Sequence, residues 1–103
     1  LDLGANGGAE ALYKAVRETG ETVKVLINNA GFGGHGVHIE RELSQEHGMI
    51  DLNIKAVVSL THMIGNDMVK SGGGKMLHVS STAGFMPGPM QAVYFASKAF
   101  GFL

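Results

Sequence analysis

Apolar residues follow helical spacing in some parts of this 103-residue chain and form short unbroken runs in others. Recurrence every three or four residues predicts a first helix over 8–19 and a long helix over 44–70, with Ser44 as its cap. Apolar runs predict strands at 23–27 and 76–79, the first of them buried in the manner of a parallel strand. A last helix is predicted from Gln91 onward. This order is that of a right-handed parallel βαβ unit, so the predicted fold class is α/β.

The composition excludes several classes of protein. Eight Lys and Arg against nine Asp and Glu leave a net charge of −1, and no basic stripe predicts a nucleic-acid partner. The absence of cysteine excludes disulfides and thiolate metal sites. His35 and His38 have no further ligand at regular spacing, so no metal is predicted. No apolar run approaches the ~20 residues that span a bilayer, and no leader is visible, so we expect a cytoplasmic protein without membrane partners.

Three side chains supply the parts for moving a proton to or from a carbonyl oxygen. Tyr94 and Lys98 are four residues apart, which places them on one face of the predicted last helix. A phenol ordinarily has a pKa of ~10, and a nearby positive charge lowers such a pKa towards the range where proton exchange is efficient. Ser81 follows the second predicted strand and can hydrogen-bond the same substrate oxygen. Each feature alone is common, but their combination is far more specific than any one of them.

Two glycine-rich segments imitate phosphate-binding loops. Segment 31–36 fits G-x-G-x-x-G after a strand, but no helix opens at Gly36, and Asp51, twenty residues after Gly31, lies inside a predicted helix. Segment 4–8 has no strand before it. We interpret the first as a loop that follows a strand and the second as a turn before a surface helix.

Together these features resemble the short-chain dehydrogenase/reductase family. The matching pieces stand in the family's order and near its spacing, and they cover essentially the whole chain: Asp2-Leu3, Asn28-Asn29-Ala30-Gly31, Asn53, Val79-Ser80-Ser81 and Tyr94-x-x-x-Lys98. An isolated asparagine on a helix is by default solvent-facing. At Asn53 the match to the family favours a functional role instead.

The resemblance implies NAD or NADP as cofactor and a role for each matching residue. Tyr94 would be the acid/base, with Lys98 lowering its pKa and binding the nicotinamide ribose. Ser81 would orient the substrate carbonyl, and Asn53 would support a water-linked proton relay. The residues implied to bind the cofactor are Asp2, Leu3, Asn28, Ala30, Gly31, Tyr94 and Lys98.

The resemblance also implies a Rossmann-like doubly wound parallel sheet that is incomplete in this sequence. The family's glycine-rich turn after its first strand is not found at a suitable distance from Tyr94. Residues 1–103 are therefore expected to be the central segment of a single NAD(P)-binding Rossmann-fold domain, without the first strands and the C-terminal part. The segment alone is expected to be inactive.

The predicted activity of the parent protein is hydride transfer between NAD(P)(H) and a small-molecule ketone or secondary alcohol. An extended-type epimerase or dehydratase also uses Tyr-x-x-x-Lys, but the segment 28–31 and Asn53 argue against it. A non-catalytic nucleotide-binding or interaction protein on the same fold is the other alternative. The family's helix packing leads us to expect a homodimer or homotetramer.

Overall fold

The computed structural model of the protein describes residues 2–34, 36–81, 93–94 and 96–97. Residues 93–94 and 96–97 are helical, as the predicted last helix requires. The other elements, in chain order, are α1 (Gly8–Glu18), β1 (Val25–Asn28), a 3₁₀ turn (His38–Glu40), α2 (Leu43–Ile50), a π-helical turn (Asp51–Lys55), α3 (Ala56–Lys70) and β2 (Lys75–His78).

The two strands are parallel, as predicted, and α2 and α3 lie between them in the chain. Val25 pairs with Lys75 and Asn28 with His78, so the ladder is in register from end to end. Strand β1 starts two residues later than predicted and extends one residue further, to Asn28. Val23 lies outside the strand pairing, but its side chain is partly buried because it packs against the core.

Only one face of the sheet is covered by the described residues. Leu26 and Met76 point towards the helices and contact the core cluster. Val25 and Ile27 on the opposite face are 56% and 57% exposed, and Leu77 beside them is 55% exposed. The expectation of a fully buried first strand is therefore wrong for this chain as it stands, since nothing among the described residues packs on the second face.

The core lies between α1, α3 and the covered face of the sheet. Leu60, Ile64 and Met68 recur every four residues and form a buried stripe along α3, with Ala9 of α1 against them. This buried stripe covers one face of the helical run, because the apolar residues Ile50 and Val58 of the same run are exposed.

The predicted long helix is one continuous helical run from Leu43 to Lys70, but it is not uniform. Ser44 does not cap it, since the N-cap is Glu42 and no side chain bonds the first turn. Between α2 and α3 the helical turn widens to the π-helical hydrogen-bond pattern, in which the N–H of Ala56 donates to the carbonyl of Asp51, five residues earlier. The run ends as predicted at the glycines after Ser71, where the N–H of Gly73, with φ of 116°, donates to the carbonyl of Met68 at 2.7 Å.

No helix within the described ranges is long and apolar enough to cross a membrane.

Candidate active site

Two segments with predicted site residues, the loop after β1 and the segment after β2, begin where the parallel strands end. Strand β1 stops at Asn28 and β2 at His78, and the N–H of Val79 extends the pairing by donating to the carbonyl of Asn28 at 2.8 Å. The loop after β1 and the segment leading to Ser81 therefore leave the sheet at the same carboxyl edge. Ligands of open parallel sheets bind at this edge.

Asn53 lies in the π-helical turn and is buried, with 6% of its surface exposed. Its side chain bonds both backbone groups of Phe32: Oδ1 accepts from the N–H at 3.1 Å, and Nδ2 donates to the carbonyl at 3.0 Å. The solvent-facing alternative for this asparagine is wrong. π-Helical turns often occur at functional sites.

Asn53 also contacts the helical residues near the chain's end. Its Nδ2 donates to the Ser97 hydroxyl at 2.8 Å, and that hydroxyl donates to the backbone carbonyl of Tyr94 at 2.8 Å. Ser97 is 2% exposed. Nothing in the sequence identifies Ser97 as a site residue, because a small residue beside Lys98 gives no signal of burial or of a distant partner.

Tyr94 lies against the loop that follows β1. A Cβ built on Gly33 would lie 3.0 Å from Cδ1 and 3.3 Å from Cε1 of the Tyr94 ring, so the ring packs directly on the glycine backbone. This contact places Tyr94 at the same edge as Ser81. Lys98 lies outside the described residues, as does His35.

The loop that follows β1 is also held against α2, by a cluster of charged side chains around Glu46. Arg41 and His38 both pair with the buried carboxylate of Glu46, and the Arg41 guanidinium lies where a side chain on Gly34 would have to be. The hydrogen bond from Arg41 lowers the pKa of Glu46 below its usual value, although burial opposes the shift. His38, which we interpreted as a metal candidate and rejected, is instead a partner of Glu46. Within the described ranges no group of three His, Cys, Asp or Glu side chains could hold a metal ion.

Of the residues implied to bind a cofactor, Leu3, Asn28 and Ala30 line one cavity of about 110 Å³ at the carboxyl edge. Asp2 and Gly31 are exposed, and the Asp2 carboxylate accepts the N–H of Gly4 at 2.9 Å. The side-chain Nδ2 of Asn28 is hydrogen-bonded to the Thr61 hydroxyl at 3.2 Å and to Nδ1 of His78 at 3.0 Å. Small-molecule pockets usually measure roughly 300–1,000 Å³, so this cavity alone is too small to hold a dinucleotide.

Comparison with known proteins places the chain in a family. The family model for short chain dehydrogenases matches residues 1–102. Sulfoacetaldehyde reductase 2 of Chromohalobacter salexigens is 34% identical over 102 residues, which are 97% of this chain and 40% of that protein. A metagenomic short-chain oxidoreductase solved in complex with NADP is 30% identical, with a TM-score of 0.85 over 94% of this chain and 44% of that one.

The fold is also that of 4-hydroxyisoleucine dehydrogenase complexed with NADH, which is 24% identical, with a TM-score of 0.90 over 97% of this chain and 42% of that one. The chain therefore belongs to the short-chain dehydrogenase family and has the Rossmann-like α/β fold, here with a two-stranded parallel sheet in the described part. It spans less than half the length of each of these proteins.

Proposed function

We propose that the protein to which this chain belongs is an NAD(P)-dependent oxidoreductase that interconverts a small carbonyl compound and its alcohol, with Tyr94 as acid/base. The observation that carries the proposal is the seating of Tyr94 on Gly33 at the carboxyl edge of the sheet. The complex of NADP with the metagenomic relative and that of NADH with the dehydrogenase of the same fold support a nicotinamide cofactor without choosing between NAD and NADP.

The residues present fit such a cofactor at one place. Leu3, Asn28 and Ala30 line the cavity at the carboxyl edge of the sheet. A nucleotide at this edge needs an apolar contact for its base, which Leu3 would supply, and a loop backbone beside it, which residues 28–30 would supply. When bound, the reduced nicotinamide supplies the hydride for the carbonyl carbon.

The chain's own residues handle the proton and the geometry. The Tyr94 hydroxyl donates its proton to the substrate oxygen as the carbon accepts the hydride, so the C=O double bond becomes a C–O single bond with one new C–H and one new O–H bond, and Tyr94 is left as the phenolate. Ser81 hydrogen-bonds the same oxygen and holds it in place. The Lys98 ammonium stabilises the phenolate that Tyr94 leaves behind, and Asn53 supports the water-linked return of a proton.

We further propose that residues 1–103 are the central segment of a single NAD(P)-binding domain of a longer protein, called the intact protein below. The uncovered sheet face of Val25, Ile27 and Leu77 supports this, because parallel sheets are buried on both faces. The intact protein is proposed to be cytoplasmic and a homodimer or homotetramer. Exposed apolar side chains on the helical run, among them Leu43, Val58 and Val69, are the support for self-association.

The test is a labelled-hydride assay on the purified intact protein. Reduced NAD or NADP with deuterium at C4 is mixed with a panel of ketones and aldehydes. We expect one cofactor to be oxidised and the deuterium to appear on the carbinol carbon. An extended-type epimerase would show no net cofactor oxidation, and a non-catalytic binding protein would bind cofactor without any label transfer; either result overturns the proposal.

A further inference from the structure

Ser97 differs from Thr19 and Ser71, whose hydroxyls also bond the carbonyl three residues earlier, in having a second, distant partner. Thr19 and Ser71 each donate to the carbonyl three residues earlier, at 2.7 and 3.3 Å, and both are exposed. The Ser97 hydroxyl makes the same local bond to Tyr94 but also accepts from Asn53, 44 residues away, and is buried. A buried hydroxyl whose donor and acceptor are both used links the two groups it joins.

The two groups joined by Ser97 are both parts of the proposed site. On one side is the backbone carbonyl of Tyr94. On the other is the Asn53 amide, which also fixes Phe32, the residue before the glycine that seats the Tyr94 ring. Tyr94 is thus held at its backbone through Ser97 and at its ring through Gly33, and both supports are anchored on Asn53.

We infer that Ser97 is a positioning residue for Tyr94: its hydroxyl fixes the turn of helix that carries the acid/base relative to the π-helical turn at Asn53. This inference rests on the proposed function. Ser97 does not touch the reacting atoms. Its effect on turnover comes from where it holds the phenol, since displacements of about 1 Å at a reacting group cost on the order of a hundredfold in rate.

The test compares Ser97→Ala with Ser71→Ala in the intact protein. Ser71→Ala is the matched control, because it removes a local serine-to-carbonyl bond of the same kind away from the site. For Ser97→Ala we expect kcat to fall about ten- to a hundredfold with KM and cofactor affinity nearly unchanged. The pH at which kcat is half-maximal should also move, because the phenol loses its set position relative to the charges around it. Ser71→Ala should change none of these quantities.

Ser97→Thr keeps the hydroxyl and should restore kcat to within a few-fold of the wild type, together with the original pH profile. If Ser97→Ala does not fold, Ser97→Cys replaces it, since the thiol fills similar space with a weak donor and should lower kcat and shift the profile in the same direction. A loss of kcat that only tracks the folded fraction, with the pH profile unmoved, overturns the inference. So do a Ser97→Thr variant as impaired as Ser97→Ala, and a Ser97→Ala variant that behaves like Ser71→Ala.

Failure of this inference is distinguishable from failure of the proposed function. Tyr94→Phe is measured alongside, and retained turnover in that variant removes the proposed role of Tyr94 whatever Ser97 does. In that case urea midpoints of Asn53→Ala, Ser97→Ala and the double variant still test the link: non-additive midpoints support the Asn53–Ser97 coupling, and additive midpoints overturn it.

Discussion

The side chain of Asn53 binds the backbone of Phe32 through both of its polar atoms, at 3.1 Å to the N–H and 3.0 Å to the carbonyl. The Asn53 side chain thereby satisfies both the N–H and the carbonyl of Phe32, as the backbone of a neighbouring β-strand would. The contact connects the π-helical turn between α2 and α3 to the loop that leaves β1. It fixes the part of the loop on which the Tyr94 ring rests.

Replacing Asn53 with alanine should therefore destabilise the intact protein. The change leaves both backbone groups of Phe32 without their partner and removes the donor to the Ser97 hydroxyl, and a buried polar group left unpaired costs about 1–3 kcal/mol. Urea denaturation measures the loss. Asn66→Ala, at an exposed position of α3, is the matched control and should be neutral or slightly stabilising because alanine is the better helix former. Equal effects of the two variants would contradict the account of Asn53.

A side chain at position 33 should displace the Tyr94 ring. In Gly33→Ala the new methyl would lie 3.0–3.3 Å from three ring carbons, so the ring or the loop must shift by a few tenths of an ångström. We expect kcat to fall about tenfold or more, because small displacements of a reacting group are costly. Gly65→Ala is the control: its methyl meets only Cε at the flexible end of Met76. The kcat of both variants is measured by steady-state kinetics. Equal kcat values for Gly33→Ala and Gly65→Ala would refute the role of Gly33 in positioning the Tyr94 ring.

The acid stability of the protein should depend on Glu46. Arg41 lowers the pKa of this carboxyl in the folded protein below 4.5, so the unfolded chain binds more protons as the pH falls through that value. The stabilisation by its ion pairs is complete above pH 4.5 and is lost as the pH drops towards the lower folded pKa.

Denaturation at a series of pH values should show a steeper loss of unfolding free energy below pH 4.5 in the wild type than in Glu46→Gln. Glu42→Gln, at an exposed carboxyl that makes no cap bond, should keep the wild-type slope. A Glu46→Gln slope equal to that of the wild type would show that this carboxyl does not carry the acid sensitivity.

Isolated residues 1–103 should be poorly folded or aggregate, and should not bind NAD(P)H. Val25, Ile27 and Leu77 present an uncovered apolar sheet face, and unpaired strand edges favour association. The measurement is thermal unfolding of this chain with and without NAD(H) or NADP(H). A cooperative transition that rises on adding cofactor would contradict the prediction, because only a folded site gains stability by binding.

Local pattern was enough to predict most of the fold. The apolar runs and the glycines after Ser71 gave both strands and the end of α3 to within two residues, because turn chemistry and burial act locally there. The π-helical turn was missed, since nothing in residues 51–55 departs from an ordinary helical sequence. Ser44 was wrongly predicted as a cap because the helix begins at Leu43, after Glu42.

The site was only partly visible in the sequence. Spacing identified Tyr94 and Ser81 as candidates, and the family resemblance added Asn53. The structure links Tyr94 and Asn53 in one hydrogen-bond network through Ser97. Gly33 and Ser97 could not have been found that way, because their importance lies in contacts with residues 61 and 44 positions away. The roles of Asn53, Ser81, Tyr94 and Lys98 all remain predictions.

The most direct test of the central proposal compares the chain's two tyrosines. Tyr94→Phe removes the proposed proton donor while the ring can still rest on Gly33. Tyr13→Phe removes a hydroxyl that donates to Asp67 at 2.7 Å, at the end of α3 that leads into β2 and away from the site. Carbonyl reduction by the intact protein is measured with a parallel titration of cofactor affinity. We predict that Tyr94→Phe loses at least about a hundredfold in kcat with cofactor affinity nearly intact, whereas Tyr13→Phe keeps wild-type turnover. Undiminished turnover in Tyr94→Phe would contradict the assignment of Tyr94 as the acid/base.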